Sequence, residues 1–167
     1  MTYLRRMLQF LEDPSRMAIA AVVSLEVARL CRLPESYWAP ITTIVIMQST
    51  WVASLSMSVQ RIAGTAMGAV SGALIATYFR ANWLTFGIGI LAVGLICALL
   101  RMDKPAVRFA RITIAIVMLI PHNVSYWTAG FRRFFEVSVG IVVGLAVAAA
   151  WPDPSEDAAA PAAQQRA

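Results

Sequence analysis

The chain has 167 residues, of which 59% are hydrophobic and 14% charged, with a net charge of +5 and a mean hydropathy of +0.69. Soluble domains carry about 25% charged residues, and a chain this apolar would present aggregating surface to water. The composition therefore argues against a water-soluble domain and for an all-α integral membrane protein. Its basic residues stand singly or in pairs at the ends of apolar runs. No long basic stripe is available to track phosphates, so the lipid bilayer is the expected partner and nucleic acid is not.

From the N-terminus, Leu4, Met7, Leu8 and Leu11 share one helical face, while Arg5, Arg6, Gln9 and Glu12 lie elsewhere. That pattern predicts a short amphipathic helix lying in the membrane interface over residues 1–15. Asp13 and Pro14 are expected to end it, with Ser15 capping the next helix. A bundle of about six transmembrane helices is then predicted within 16–151, with spans at about 17–33, 38–55, 62–79, 83–100, 106–121 and 134–151. Each lies near the roughly 17–25 residues that cross the hydrocarbon, and none alternates as barrel strands do.

Span one holds Glu26 and Arg29 on one face and has no A-x-A-like cleavage site, so it reads as a retained helix. Span two opens at Trp38 and fades after Ala53 into the serine-rich stretch Ser54, Ser56, Ser58, Gln60. Span three places Gly64, Gly68, Gly72 and Ala76 at four-residue intervals, and span six places Gly140, Gly144 and Ala148 likewise. Small residues so spaced form a groove into which another helix backbone packs. Gln60 and Glu136 head these strips and should face protein. Short connections carrying Pro34 with Glu35, Arg80 to Asn82, and Asp103 to Pro105 predict antiparallel hairpins. Residues 152–167 are Ala, Pro, Gln and acid with nothing to bury, the composition of a disordered tail.

With the N-terminus in the cytoplasm, nine basic residues fall inside and five outside, of 14 in all. The bias favours both termini cytoplasmic, and it explains Arg108 and Arg111 as topology signals. Charges within spans are costly, about 2.5–3.5 kcal/mol each near the bilayer centre. Glu26 with Arg29, and Arg133 with Glu136, are spaced to neutralise each other. Alternatively they form a polar path in which arginines attract an anion and a glutamate carries protons.

Enzyme chemistry has no support. The single histidine, His122, sits beside Pro121 in a loop, and no phosphate-binding loop, nucleophile elbow or HExxH helix is present. Cys31 and Cys97 form no CxxC or Cys/His cluster, so neither metal nor cofactor is expected. Ser-Tyr-Trp occurs at 36–38 and again at 125–127, a weak hint of an internal repeat.

Three motifs carry a resemblance: ESYWAPITTIVIMQ (35–48), QRIAGTAMGAVSGALIA (60–76) and RRFFEVSVGIVVG (132–144). Together they resemble the membrane domain of the fusaric acid resistance-like, or aromatic acid exporter, family. The resemblance falls on Tyr37 and Trp38, on Arg61, Gly64, Thr65 and Gly68, and on Arg133, Glu136 and Gly140, and it runs from about Arg16 to Trp151. It implies efflux of aromatic carboxylic acids or related amphipathic compounds across a bacterial inner membrane, driven by the proton-motive force. Arg29, Arg61 and Arg133 would then attract the organic anion, and Glu26 or Glu136 would couple protons. Many members carry further domains, so a homo-oligomer, with a dimer favoured, is expected through the glycine strips. The competing expectation is a non-transporting membrane scaffold or accessory subunit of a larger complex.

Overall fold

The computed structural model describes residues 2–48, 50–79, 82–121 and 123–151, with the backbone alone at 2–13. Six helices account for the fold: α1 (Thr2–Leu30), α2 (Trp38–Ile46), α3 (Trp51–Tyr78), α4 (Trp83–Leu99), α5 (Lys104–Leu119) and α6 (Tyr126–Ala150). No strand occurs among the described residues. The all-α class is as expected, but several helix ends differ from the expected spans. Helix α1 continues through Pro14, so Asp13 and Pro14 do not close off an N-terminal element. The expected interfacial face, His122, Arg80 and the tail 152–167 lie outside the described residues.

Helix α2 has only nine residues, and the serine-rich stretch belongs to α3. Thr50 caps that helix, its Oγ1 accepting the Ala53 N–H at 3.2 Å. Ser54 and Ser58 are buried and extend the small-residue face of the glycine strip toward the helix start, and Thr65 is buried within the strip. Helix α6 likewise begins early, because Ser125 Oγ accepts the Thr128 N–H at 3.2 Å. Arg132 and Arg133 therefore stand within a helix, not in a connection. Among the described residues, α6 is the one helix long and apolar enough to cross a membrane by length and composition alone, and α4 is apolar but shorter. The expectation of six such spans is not met by that measure, since α2 is short and α5 carries three cations.

Contacts group the chain into two units, Met1–Ser56 with Val139–Ala167, and Met57–Ser138. In the first, α1 packs along α2, and α2 lies against the second half of α6. A Cβ on Gly140 would collide with the Ala39 carbonyl and come within 2.8 Å of Thr42 Cβ, and one on Gly144 would reach 2.8 Å from Ile46 Cδ1. Only glycine admits backbone this close. Thr43 joins the three helices: its Oγ1 is 2.8 Å from Ser24 Oγ, 2.9 Å from the Gly140 carbonyl and 3.1 Å from the Ala39 carbonyl. Where α2 ends, side chains satisfy the exposed backbone, as an apolar setting requires. Gln48 N–H donates to Ser54 Oγ at 2.9 Å. The buried Arg16 donates to the Gln48 carbonyl at 3.3 Å and to the Trp151 carbonyl at 3.0 Å, so one cation closes the ends of α2 and α6.

In the second unit α4 packs along α5, and α5 lies against α3. A Cβ on Gly64 would collide with the Ala106 carbonyl, one on Gly68 with the Ala110 carbonyl, and Gly68 would also place it 2.7 Å from Thr113 Cβ. Ala76, Val93, Cys97, Ala110, Ile114 and Met118 form the core of this unit.

Set side by side, α1–α3 and α4–α6 repeat one another. Helices α1 and α4 end in the same way. Arg32 and Arg101, 69 positions apart, both have φ 53°. In the first cap Arg32 N–H donates to Arg29 O and Leu33 N–H to Ala28 O; in the second Arg101 N–H donates to Ala98 O and Met102 N–H to Cys97 O. This double bond around a left-handed residue is the Schellman closure, here built on arginine where glycine is usual. Helices α2 and α5 correspond at 71 positions, Pro34 to Pro105, Ala39 to Ala110, Thr42 to Thr113 and Met47 to Met118. Helices α3 and α6 correspond at 72, Arg61 to Arg133, Gly68 to Gly140 and Gly72 to Gly144. The Ser-Tyr-Trp pair at 36–38 and 125–127 is not this repeat, since it matches the start of α2 to the start of α6.

Candidate functional site

Within the second unit, α3 and α6 bring buried charge beside an aromatic wall. Arg61, one turn before Gly64, is 5% exposed, and its guanidinium lies 4.4 Å above the Phe109 ring centroid. The glycine sets that stack: with no side chain at Gly64, Ala106 and Phe109 of α5 can press against α3. A desolvated cation over an aromatic face gains up to about 2 kcal/mol. On α6, Arg133 and Glu136 are both buried, with Nη1 and Oε2 4.0 Å apart. Ionised groups taken out of water are tolerated only when paired or otherwise compensated.

The same two helices border an open groove of about 190 Å³, lined by Ala66, Ala69 and Val70 of α3 and by Trp127, Gly130, Phe131 and Phe134 of α6. Its wall is almost wholly apolar. Gly130 opens it by allowing α6 close to α3, where a Cβ would sit 3.2 Å from the Ala69 carbonyl. A dry cavity of roughly 150 Å³ holds a benzene ring, so an aromatic ring fits here. Arg133 and Glu136 follow on α6 but on other faces of the helix, and neither lines the groove.

The other expected site residues fall differently. Glu26 and Arg29 pair at 2.7 Å, but their side chains are 57% and 59% exposed on the outer face of α1. They are a surface pair, not part of a buried path. Tyr37 and Trp38 both donate to Glu35 Oε2, at 3.2 and 2.8 Å, and so tether the start of α2. Thr65 is buried between Gly64 and Gly68 on α3, and a Cβ on Gly72 would lie 3.2 Å from Ile114 Cγ1 and 3.3 Å from Val117 Cβ. Gln60 is half-buried.

Glu35 and Arg16 were not expected as structural anchors. Glu35 had a legible signal, an acid just before the aromatic pair, whereas Arg16 meets its partners 32 and 135 positions away. Among the described residues no group of three His, Cys, Asp or Glu side chains is placed to hold a metal ion.

Comparison with known proteins agrees with the resemblance. Inner membrane protein YeeA of Escherichia coli is 25% identical over 145 residues, covering 83% of this chain and 40% of that protein. A protein of Mycobacterium bovis with the provisional name of arylamide transporter is 27% identical over 128 residues, 72% of this chain and 35% of its own. A Synechocystis protein with no described role is 26% identical over 143 residues, 85% of this chain and 19% of its own. The chain thus spans less than half the length of each of these relatives. No solved structure matches it. Large apolar side chains such as Val22, Leu91, Leu95 and Val142 stand exposed on its helices, as lipid-facing surface requires, and it is a membrane protein. Residues 18–147 match the model of one family across most of the chain, and the chain belongs to that family, the fusaric acid resistance protein-like proteins.

Proposed function

We propose that the chain is a multi-pass inner-membrane exporter of aromatic carboxylic acids or related amphipathic compounds, driven by the proton-motive force and working as a homodimer. The observation that carries this reading is that α3 and α6 hold buried Arg61, Arg133 and Glu136 and, on other faces of the same helices, an aromatic-lined groove. The ring of the substrate lies against Trp127, Phe131 and Phe134, and an arginine pairs with its carboxylate. Glu136, 1% exposed, is a better proton-coupling group than the exposed Glu26. An inside-negative potential favours exit of the anion by about 2.3 kcal/mol per charge per 100 mV. The provisional name of the Mycobacterium relative, an arylamide transporter, and the family itself also point to transport rather than to an enzyme.

The internal repeat supports the same reading. If all six helices cross the bilayer, each repeat contributes three crossings, and an odd number inserts the two copies with opposite orientations. Inverted repeats of this kind are the frame on which many secondary transporters alternate access. Helix α2, at nine residues roughly 14 Å long, crosses together with the turn before it and the Met47–Gln48 segment after it. Both termini then lie in the cytoplasm.

The test is flux of labelled p-hydroxybenzoate from proteoliposomes under an imposed potential and proton gradient. Transport above empty vesicles is expected, with a reduction of at least about tenfold in Arg61→Ala and a partial recovery in Arg61→Lys. Flux equal to empty vesicles sinks the proposal. One other reading is a non-transporting scaffold or accessory subunit of a larger complex. Mild-detergent purification separates the two, since a stoichiometric unrelated partner supports the scaffold and a homodimer supports the exporter.

A further inference from the structure

A second groove, of about 650 Å³, lies between the end of α4 and the start of α5. Lys104, Arg108 and Arg111 line it at successive turns of one α5 face, and all three are exposed. No acidic residue lines the groove. Arg111 reaches across to α4, where a Cβ on Gly94 would come within 2.6 Å of its Nη2. The guanidinium thus rests on the α4 backbone at a place where any side chain would displace it. Beyond it the groove floor becomes apolar at Ile112 and Ala115.

The helix pairing does not need these cations. At the corresponding positions before and in α2, 71 residues earlier, stand Leu33, Tyr37 and Pro40, and α2 still makes its glycine-seated crossing. Topology signalling explains a cation at the membrane edge. Arg111 lies about 10 Å further along the helix from Lys104, where an exposed charge has apolar neighbours in Ile112 and Ala115. An anion carried on an apolar tail resolves that conflict.

We propose that this groove binds an anionic glycerophospholipid, its phosphodiester held by Arg108 and Arg111 with Lys104 at the rim, and an acyl chain lying along Ile112 and Ala115. Three cations converging on a narrow groove with an apolar floor match that ligand in both charge and shape. The inference rests on α4 and α5 lying in a bilayer, not on any transport activity.

Wild-type protein in nanodiscs of phosphatidylcholine, with phosphatidylglycerol titrated in, tests it by native mass spectrometry of the ejected protein. One phosphatidylglycerol is expected to remain bound, preferred over phosphatidylcholine by about tenfold or more. Arg108→Gln/Arg111→Gln should abolish the preference. Gly94→Ala, which keeps every charge but removes the seat of Arg111, should weaken it. A wild-type protein that retains the two lipids equally overturns the proposal without recourse to any variant, so a misfolded variant does not shelter it. Full displacement of the lipid by inorganic phosphate or by p-hydroxybenzoate also overturns it, since the groove would then be a small-anion site.

Discussion

The two glycine-seated crossings, α2 on α6 and α5 on α3, are built alike and used differently. Ala39 and Thr42 over Gly140 repeat Ala110 and Thr113 over Gly68. Apart from the buried pair Arg61 and Arg133, the residues on which the two crossings agree are mostly small and buried, and their task is backbone contact. Where they disagree, chemistry appears. Gly64 in one strip stands where Glu136 stands in the other, Phe109 beneath Arg61 corresponds to Trp38, and the basic face of α5 corresponds to Leu33, Tyr37 and Pro40. Because the scaffold folds once without each of these groups, packing alone does not account for them.

The largest effect expected from breaking the comparison is at the shared position. Gly68→Leu and Gly140→Leu each drive a side chain into a helix carbonyl, which cannot move aside as a flexible side chain does. Each should cost about 4 kcal/mol or prevent folding, as read by thermal unfolding in detergent. If the crossings are equivalent, the two losses agree within about 1 kcal/mol. One tolerated and one lethal leucine would show that the likeness is only in sequence.

Glu136→Gln comes next. It keeps the shape of the side chain but leaves the neighbouring Arg133 without its counter-charge, at a cost of about 3 kcal/mol. Under the export reading, proton-driven flux is lost in addition, including at temperatures where the variant is fully folded. Wild-type flux from a folded Glu136→Gln protein would reduce this carboxylate to a packing group. The corresponding test at Glu26, which is exposed and pairs only on the surface, should change neither quantity by a measurable amount.

How far the sequence foretold all this depends on the range of the interaction concerned. The helical class, the glycine strips and the inward aim of Glu136 follow from composition and from spacing along a single helix. Helices α3 and α6 start earlier than falling hydropathy predicts, because Thr50 and Ser125 act as local caps. Ser54 and Ser58 looked like the polar end of a span, yet small hydroxyl residues pack against helices as glycine does. The exposure of Glu26 and the double closure by Arg16 depend on which helices meet. No periodicity within one segment encodes that. The repeat itself is thinly marked in sequence, since its three helices correspond at slightly different spacings and their matches are mainly Gly, Ala, Thr and Pro. It becomes plain through the matching turns at Arg32 and Arg101 and the matching collisions at Gly68 and Gly140.

A smaller predicted effect on stability discriminates most sharply between the two units. Ser24 on α1 and Thr43 on α2 share a hydrogen bond of 2.8 Å in the first unit. Their counterparts in the second are Val93 and Ile114, apolar and fully buried in one core cluster. Thr43→Ile alone strands the Ser24 hydroxyl in an apolar contact, and Ser24→Val alone deprives Thr43 of one of its partners. Each should cost about 1–2 kcal/mol. Ser24→Val with Thr43→Ile reproduces the solution already used by the second unit and should fall within about 0.5 kcal/mol of wild type, so the cycle shows strong coupling. Simple additivity of the two losses would mean that the units differ around these positions. The polar pair would then belong to the geometry of its own unit instead of being interchangeable with the apolar one.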